Sequence, residues 1–69
     1  MIMSDIKYPD IKIMLTGTDG KAYAIIGRVR RALQAADVSD AEVEKFTADA
    51  TSGDYDHLLR TCMRWVDVS

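Results

Sequence analysis

Cysteine, histidine, tryptophan and proline each occur only once in this sequence of 69 residues. A single cysteine cannot form an internal disulfide, so nothing cross-links the fold, and a reducing cytoplasm is the simplest setting for it. No apolar run approaches the roughly 20 residues of a membrane helix, and the first ten residues lack the features of a signal peptide. We therefore expect a cytoplasmic protein without a membrane partner.

The chain is also short. At this length we expect one small domain over residues 1–69, in which only about 60% of the surface of the unfolded chain becomes buried. Because such a core is small, a homodimer is a reasonable expectation. Residues 1–9 either join this domain or form a flexible N-terminus. A composition of 48% hydrophobic and 29% charged residues is that of a globular protein.

Acidic and basic residues are segregated along the chain. The segment 21–36 contains four basic residues and no acidic one, whereas 37–57 contains seven acidic residues and only Lys45 as a base. The net charge of −2 hides this asymmetry. The acidic segment and the negative net charge weaken any long-range attraction to nucleic acid, although a basic patch on one face is still expected.

The N-terminal part of the sequence predicts one strand followed by a break. Ile11, Ile13 and Leu15 alternate with more polar residues, a pattern typical of a strand of about six residues that begins just after Pro9. The stretch GTDG at 17–20 then ends the strand, with glycines that are free to adopt positive φ.

Two helices are predicted next, over 22–36 and 40–52. The first has an apolar stripe with helical spacing, formed by Ala22, Ile25, Ile26, Val29, Leu33 and Ala36. The second begins with Ser39 and Glu42 at the spacing of a capping box and with Val38 and Val43 at that of a hydrophobic staple. Its buried stripe is expected from Val43, Phe46, Thr47 and Ala50, and Gly53 suits its C-terminal cap.

The segment from 54 onward predicts a third helix that gives way to a strand. Asp54 is a good N-cap, and an apolar stripe contains Tyr55, Leu58, Leu59, Cys62, Met63, Trp65 and Val66. His57, Arg60, Thr61 and Arg64 are predicted on the opposite face. Because a lone strand leaves its backbone groups unpaired, we expect the helix to end near Met63 and residues 64–68 to pair with the first strand. The alternative is pairing of the first strand with its own copy.

The predicted order is therefore β-α-α-α-β, a small α+β domain in which three helices pack with a short two-stranded sheet. The first candidate for a chemical site in it is GDYDH, at 53–57. Its side chains Asp54, Tyr55, Asp56 and His57 are candidate ligands for a small anionic molecule. Three of them, Asp54, Asp56 and His57, are together with Asp19 candidate ligands for a metal ion. Helix capping explains both aspartates more simply.

Two further candidate sites, a catalytic pair and a phosphate-binding loop, lack the residue spacing that their chemistry requires. His57 and Cys62 are separated by about 140° on a helix, so they cannot act as a base and a nucleophile. The stretch GTDGKA lacks the spacing of a phosphate-binding loop, and Asp19 would repel a phosphate. We expect no catalytic residue, no metal and no cofactor.

The outer face of the first helix is the better candidate for a binding surface. It combines basic residues with small ones, which permit close approach of a partner: Lys21, Ala24, Gly27, Arg28, Arg31 and Ala35. The alternative is a solvated face, or pairing of its arginines with Glu42 and Glu44. A protein partner is favoured over nucleic acid, because the chain as a whole is acidic.

The sequence resembles a group of short, uncharacterised bacterial proteins that are common in phages and mobile elements. These proteins have a segment GxDGxAFxIxGxVxxAL, a second helix, and then SGDYDxLLxxxMxWVxV; the match covers residues 15–68. Tyr23 stands where the group usually has Phe, and Lys21 where Asn is common. The resemblance implies a compact accessory protein and brings no catalytic residues.

Taken together, these features lead us to expect a non-enzymatic protein that binds and modulates or inhibits a protein partner, such as a host enzyme or a defence component. A nucleic-acid-binding regulator that uses the arginines of the first helix is the second hypothesis. Capture of a small anionic molecule at the GTDG or GDYDH helix starts is the third.

Overall fold

The computed structural model describes residues 6–14 and 20–68. Along the chain they form strand β1 (Tyr8–Ile13), helices α1 (Ala22–Ala35), α2 (Asp40–Ala50) and α3 (Tyr55–Trp65), and strand β2 (Val66–Val68). β1 and β2 pair in parallel, and the three helices form the connection between them. The predicted α+β class and the β-α-α-α-β order are confirmed.

β1 begins earlier than predicted. Tyr8 and Pro9 belong to the strand and not to an N-terminal extension, and the amide of Lys7 already donates a 2.8 Å hydrogen bond to the carbonyl of Arg64. Pro9 is tolerated because the register is irregular between the pairs Tyr8–Val66 and Lys12–Asp67, so its missing N–H interrupts no regular ladder. Leu15 and residues 17–19 of GTDG lie outside the described residues, but Gly20 has the predicted positive φ, of 86°.

α1 covers almost all of the predicted helix. Its central apolar residues Ile25, Val29 and Leu33 are buried, as the helical spacing requires. Ala22 and Ala36, at the two ends of the predicted stripe, are exposed, because the helix extends past the core at both ends.

α2 begins as predicted but ends two residues early. The side chain of Ser39 accepts a hydrogen bond from the amide of Glu42, and Val43, Phe46 and Ala50 are buried, while Thr47 is half-buried. The prediction that Gly53 forms the C-terminal cap is wrong, since Thr51 occupies that position and Gly53 does not adopt positive φ. The absence of a side chain at Gly53 instead permits the close approach of His57.

α3 extends two residues beyond its predicted end, and β2 takes only the last three residues of the predicted strand. Leu58, Cys62 and Trp65 are buried as expected. Tyr55 and Met63, however, remain 47% and 57% exposed, so the apolar stripe of α3 is narrower than predicted.

Thr61 is the clearest error in the predicted faces of α3. It was expected on the polar face but is fully buried. Its hydroxyl donates a 2.8 Å hydrogen bond to the carbonyl of His57 one turn earlier, so the polar group is satisfied within the helix and its burial costs little.

The core is centred on Trp65, the last residue of α3. Its ring packs edge-on against Phe46 of α2 at 5.6 Å between centroids and stacks near Tyr8 of β1 at 6.0 Å. The ammonium of Lys7 lies 4.4 Å from the centre of the same ring, a cation–π contact. One side chain therefore connects β1, α2 and α3 at the point where the chain enters β2. No helix in the described ranges is long and apolar enough to cross a membrane.

We predict that Phe46→Ala lowers the free energy of unfolding by about 3–5 kcal/mol, because the lost ring leaves a cavity beside Trp65. That loss approaches the whole stability of a small domain. Met63→Ala, at an exposed position of α3, is the control and should change stability by less than about 0.5 kcal/mol. Urea titration followed by the fluorescence of Trp65 measures both, and equal losses would contradict this account of the core.

Candidate functional site: the outer face of helix α1

The structure brings the six predicted candidates of the first helix onto one surface, the α1 outer face, defined as Lys21, Ala24, Gly27, Arg28, Arg31 and Ala35. All are exposed except Ala24, which is half-buried. A methyl group placed on Gly27 would meet no atom within 4 Å. No other described part of the chain covers this surface, so it is open to a partner.

The arginines of α1 differ in their surroundings. Arg30 bends toward α2, where its guanidinium donates a 2.6 Å hydrogen bond to the hydroxyl of Thr47 and lies 3.1 Å from the carboxylate of Glu44. Arg28 and Arg31 form no ion pair with any residue in the ranges 6–14 and 20–68. The two exposed guanidinium groups are thus available to bind an acidic group.

Glu42 and Glu44 were named as partners of these arginines in the alternative interpretation of the face. Glu44 instead pairs with Arg30, and Glu42 lies on the other side of α2, where its carboxylate is 2.6 Å from the ammonium of Lys7. The carboxylate of Glu42 also accepts a 3.2 Å hydrogen bond from the Tyr8 hydroxyl. It is therefore not turned back toward Ser39, and only one half of the predicted capping box forms.

Tyr23 extends the α1 outer face and was not among the residues predicted for it. Its side chain is 70% exposed, and the ammonium of Lys21 lies 6.0 Å from the centre of its ring. Tyrosine and arginine are the residue types that most often dominate protein interfaces. The signal was present in the sequence, because Tyr23 precedes Gly27 by one helical turn.

The four candidate ligands of GDYDH are not arranged as a site. The carboxylate of Asp54 caps α3 by accepting a hydrogen bond from the His57 amide, and Asp56 forms a 3.0 Å ion pair with Arg60 on the next turn. The hydroxyl of Tyr55 donates a 2.7 Å hydrogen bond to the carbonyl of Gly20. Each side chain thus has a structural partner within the fold.

His57, the fourth of these candidate ligands, contacts the C-terminal end of α2. Its Nε2 lies 2.8 Å from the carbonyl oxygen of Asp49, which can only accept, so Nε2 carries a hydrogen. The hydroxyls of Ser52 and Thr61 lie 3.1 and 3.3 Å from the same nitrogen. The Asp49 carbonyl also accepts hydrogen bonds from the amide and the hydroxyl of Ser52, so the imidazole is a further donor to the last turn of α2 and connects α3 to it.

Within residues 6–14 and 20–68, no group of three or more acidic, histidine or cysteine side chains is placed to hold a metal ion. Asp19, the fourth candidate ligand, lies outside these residues. Cys62 is fully buried in the core, and desolvation raises the pKa of its thiol to about 11. A thiol with so high a pKa is protonated at neutral pH and is a poor nucleophile.

The N-terminus of α1 does not form a preorganised anion-binding site. Its N-cap is Lys21, whose side chain makes no capping hydrogen bond. At the start of α3 the carboxylate of Asp54 already occupies the position that an anion would take.

Comparison of the chain with protein-family models, with curated proteins and with solved structures finds no match.

We predict opposite effects for two glycine-to-alanine substitutions. At Gly53 the new methyl group would lie 2.8 Å from Cγ of His57, so Gly53→Ala should displace the imidazole from α2 and cost about 1–3 kcal/mol. At Gly27 the methyl group meets open space inside a helix, so Gly27→Ala should stabilise by about 0.5–1 kcal/mol. Thermal melts of both variants measure the signs, and a neutral Gly53→Ala would show that the approach of His57 is not required.

The pair of Lys7 and Glu42 predicts a pH dependence of stability. The hydrogen bond from Lys7 holds the pKa of Glu42 below its ordinary value of 4.5, so this stabilisation is lost as the pH falls through the lowered pKa. The same bond raises the pKa of Lys7 above 10.5, and burial raises that of Tyr8 above 10.0, so their contribution is lost as the pH rises past those values.

Glu42→Gln should therefore flatten the pH profile of the free energy of unfolding on both its acid and its alkaline side. Glu44→Gln, which removes the carboxylate beside Arg30, is the matched control. The two substitutions change the net charge equally, so they differ only in which ion pair is lost. Urea unfolding of both variants between about pH 3 and pH 11 measures the two profiles. Identical profiles for the two variants would contradict a special role of Glu42.

Proposed function

We propose that the protein is a non-enzymatic accessory protein that binds and modulates or inhibits a protein partner through the α1 outer face. In keeping with the resemblance described above, the partner would be a host enzyme or a defence component met by a phage or mobile element. A homodimer in the cytoplasm is compatible with this proposal, because α1 presents a single exposed face on each copy.

The observation that supports the proposal is the contrast between Arg30 and its neighbours. Arg30 is neutralised by Glu44, whereas Arg28 and Arg31 are exposed and have no carboxylate partner in the described part of the chain. Ala24 and Ala35 lie between them in projection along the helix, and Gly27 lies beside Arg31, so small residues leave room for a close backbone approach. The surface therefore fits an acidic protein segment that can pack tightly against α1.

Nucleic acid is the second candidate for the same arginines. The acidic helix α2 lies beside α1, and the net charge of the chain is −2, which opposes the approach of a polyanion. An acidic patch on a protein is less affected, because the contact is local and includes apolar area.

The proposal is tested by in-cell photo-crosslinking. A photoreactive amino acid replaces Gly27, where open space accepts a side chain, or Met63, an exposed position of α3. We expect a discrete covalent adduct with one protein from position 27 and none from position 63. An RNA or DNA adduct from position 27 would favour the nucleic-acid hypothesis instead.

The charge dependence of that adduct is the decisive measurement. Arg28→Glu combined with Arg31→Glu should abolish the adduct, because it reverses the charge that attracts the partner, while leaving the circular dichroism spectrum unchanged. Lys45→Glu combined with Arg64→Glu makes the same change in net charge elsewhere and should leave the adduct intact. An adduct that survives the first pair, or is lost with the second, would overturn the proposal.

A further inference from the structure

A second surface lies away from the α1 outer face. A groove of about 510 Å³ runs between residues 7–11 on one side and residues 36–39 with Glu42 on the other. This volume is within the range of sites that hold a ligand or a short peptide segment. None of the lining residues comes from β2 or α3.

The groove follows the edge of β1 that has no strand beside it. In the described residues β1 pairs only with β2, so its second edge has no strand partner. Successive side chains of a strand point to opposite faces, and a groove on one face would touch alternate residues. This groove touches five consecutive residues, from Lys7 to Ile11, as expected for a groove along the edge.

The walls and the rim of the groove differ in character. Tyr8, Ile11 and Val38 are half-buried and pack against the core, which gives the groove an apolar floor. Asp10 and Asp37 are exposed on the two opposite walls, and neither forms an ion pair with a described residue. Lys7, the one base in the lining, is already held by Glu42.

We propose that this groove binds an extended segment of a partner protein that carries basic side chains. Unpaired strand edges accept an added strand through backbone hydrogen bonds, and side-chain pockets then set the specificity. Here the apolar floor fits alternate aliphatic side chains of such a segment. The carboxylates of Asp10 and Asp37 select lysine or arginine at the rim.

Two features restrict how the segment can bind. Pro9 offers no backbone N–H, and the register of β1 is irregular at this point, so long regular pairing along the edge is prevented. This discourages open-ended association of identical edges and favours a short segment.

The opposite wall contains a residue with an unusual backbone conformation. Asp37 has a positive φ of 65°, a conformation that only Gly, Asn and Asp adopt readily.

The inference is tested with the probe peptide Val-Lys-Val-Lys-Val-NH2, which carries fluorescein on its N-terminal amine, and with its identically labelled counterpart in which both lysines are glutamates. Fluorescence anisotropy should show saturable binding of the lysine peptide below about 1 mM and at least tenfold weaker binding of the glutamate peptide. No saturation up to that concentration, or equal binding of both peptides, would overturn it.

The location of binding is tested by substitution and by NMR. Asp10→Asn with Asp37→Asn removes both charges, and Asn preserves the positive φ at 37, so the fold is retained while binding weakens about fivefold or more. Asp40→Asn with Asp56→Asn removes two exposed carboxylates that do not line the groove and should change binding less than twofold.

Amide chemical-shift changes on titration with the lysine peptide should concentrate in residues 7, 8, 10 and 11 on one wall and in residues 36–39 with Glu42 on the other. Changes centred on α1 between residues 23 and 31 would place the peptide on the other surface and refute the groove. The variant Arg28→Glu with Arg31→Glu should bind the peptide as well as the natural sequence does. This result separates the groove from the proposed function, since each can fail without the other.

Discussion

The position of Trp65 is the constraint on which most of this structure depends. A chain of 69 residues has a small core, and a single indole ring contacts the aromatic rings of Phe46 and Tyr8 while the Lys7 ammonium lies over it. Burying that ring fixes α3 against α2 and brings the start of β1 to the end of α3. The helix must then end at Trp65, because the next residues are needed as the parallel partner of β1.

The charge pattern of the surface follows from this packing. The ammonium of Lys7 lies over the indole ring and pairs with the carboxylate of Glu42, which is on the side of α2 that faces β1. Glu44, on the other side of α2, meets Arg30. With both glutamates engaged, Arg28 and Arg31 of the α1 outer face and Asp10 and Asp37 of the groove form no ion pair with any residue in 6–14 and 20–68. The small net charge thus conceals two exposed surfaces of opposite sign.

Local signals in the sequence predicted most of the fold. The caps Ser39 and Asp54 and the period of α1 depend on residues near one another in the chain. The pairing of the two strands is a long-range contact, and it was predicted because a lone strand leaves its backbone groups unpaired. The errors arose where a side chain has a partner that the local pattern does not show. The carboxylate of Glu42 pairs with the distant Lys7 and does not complete the capping box. Gly53 does not cap α2, and its lack of a side chain permits the close approach of His57.

The two candidate surfaces differ in the same way. The α1 outer face was predictable as a set of residues, because helical spacing alone defines it. That Arg28 and Arg31 lack partners was not, because it depends on where Glu42 and Glu44 point. The groove was not predictable at all, since its walls are formed by residues 7–11 on one side and by residues 36–39 with Glu42 on the other, which only the tertiary fold brings together.

α1 links the two surfaces mechanically. It carries the arginines along its length, and the turn that follows it supplies the 36–39 wall of the groove. The amide of Val38 donates a 3.0 Å hydrogen bond back to the carbonyl of Leu33, a fully buried residue, so this wall is fixed to the end of the helix. An occupant of the groove would therefore be held at a fixed distance and orientation from an occupant of the α1 outer face. A rigid connection of this kind suits a small protein that bridges two segments, because little ordering entropy is lost when the second segment binds.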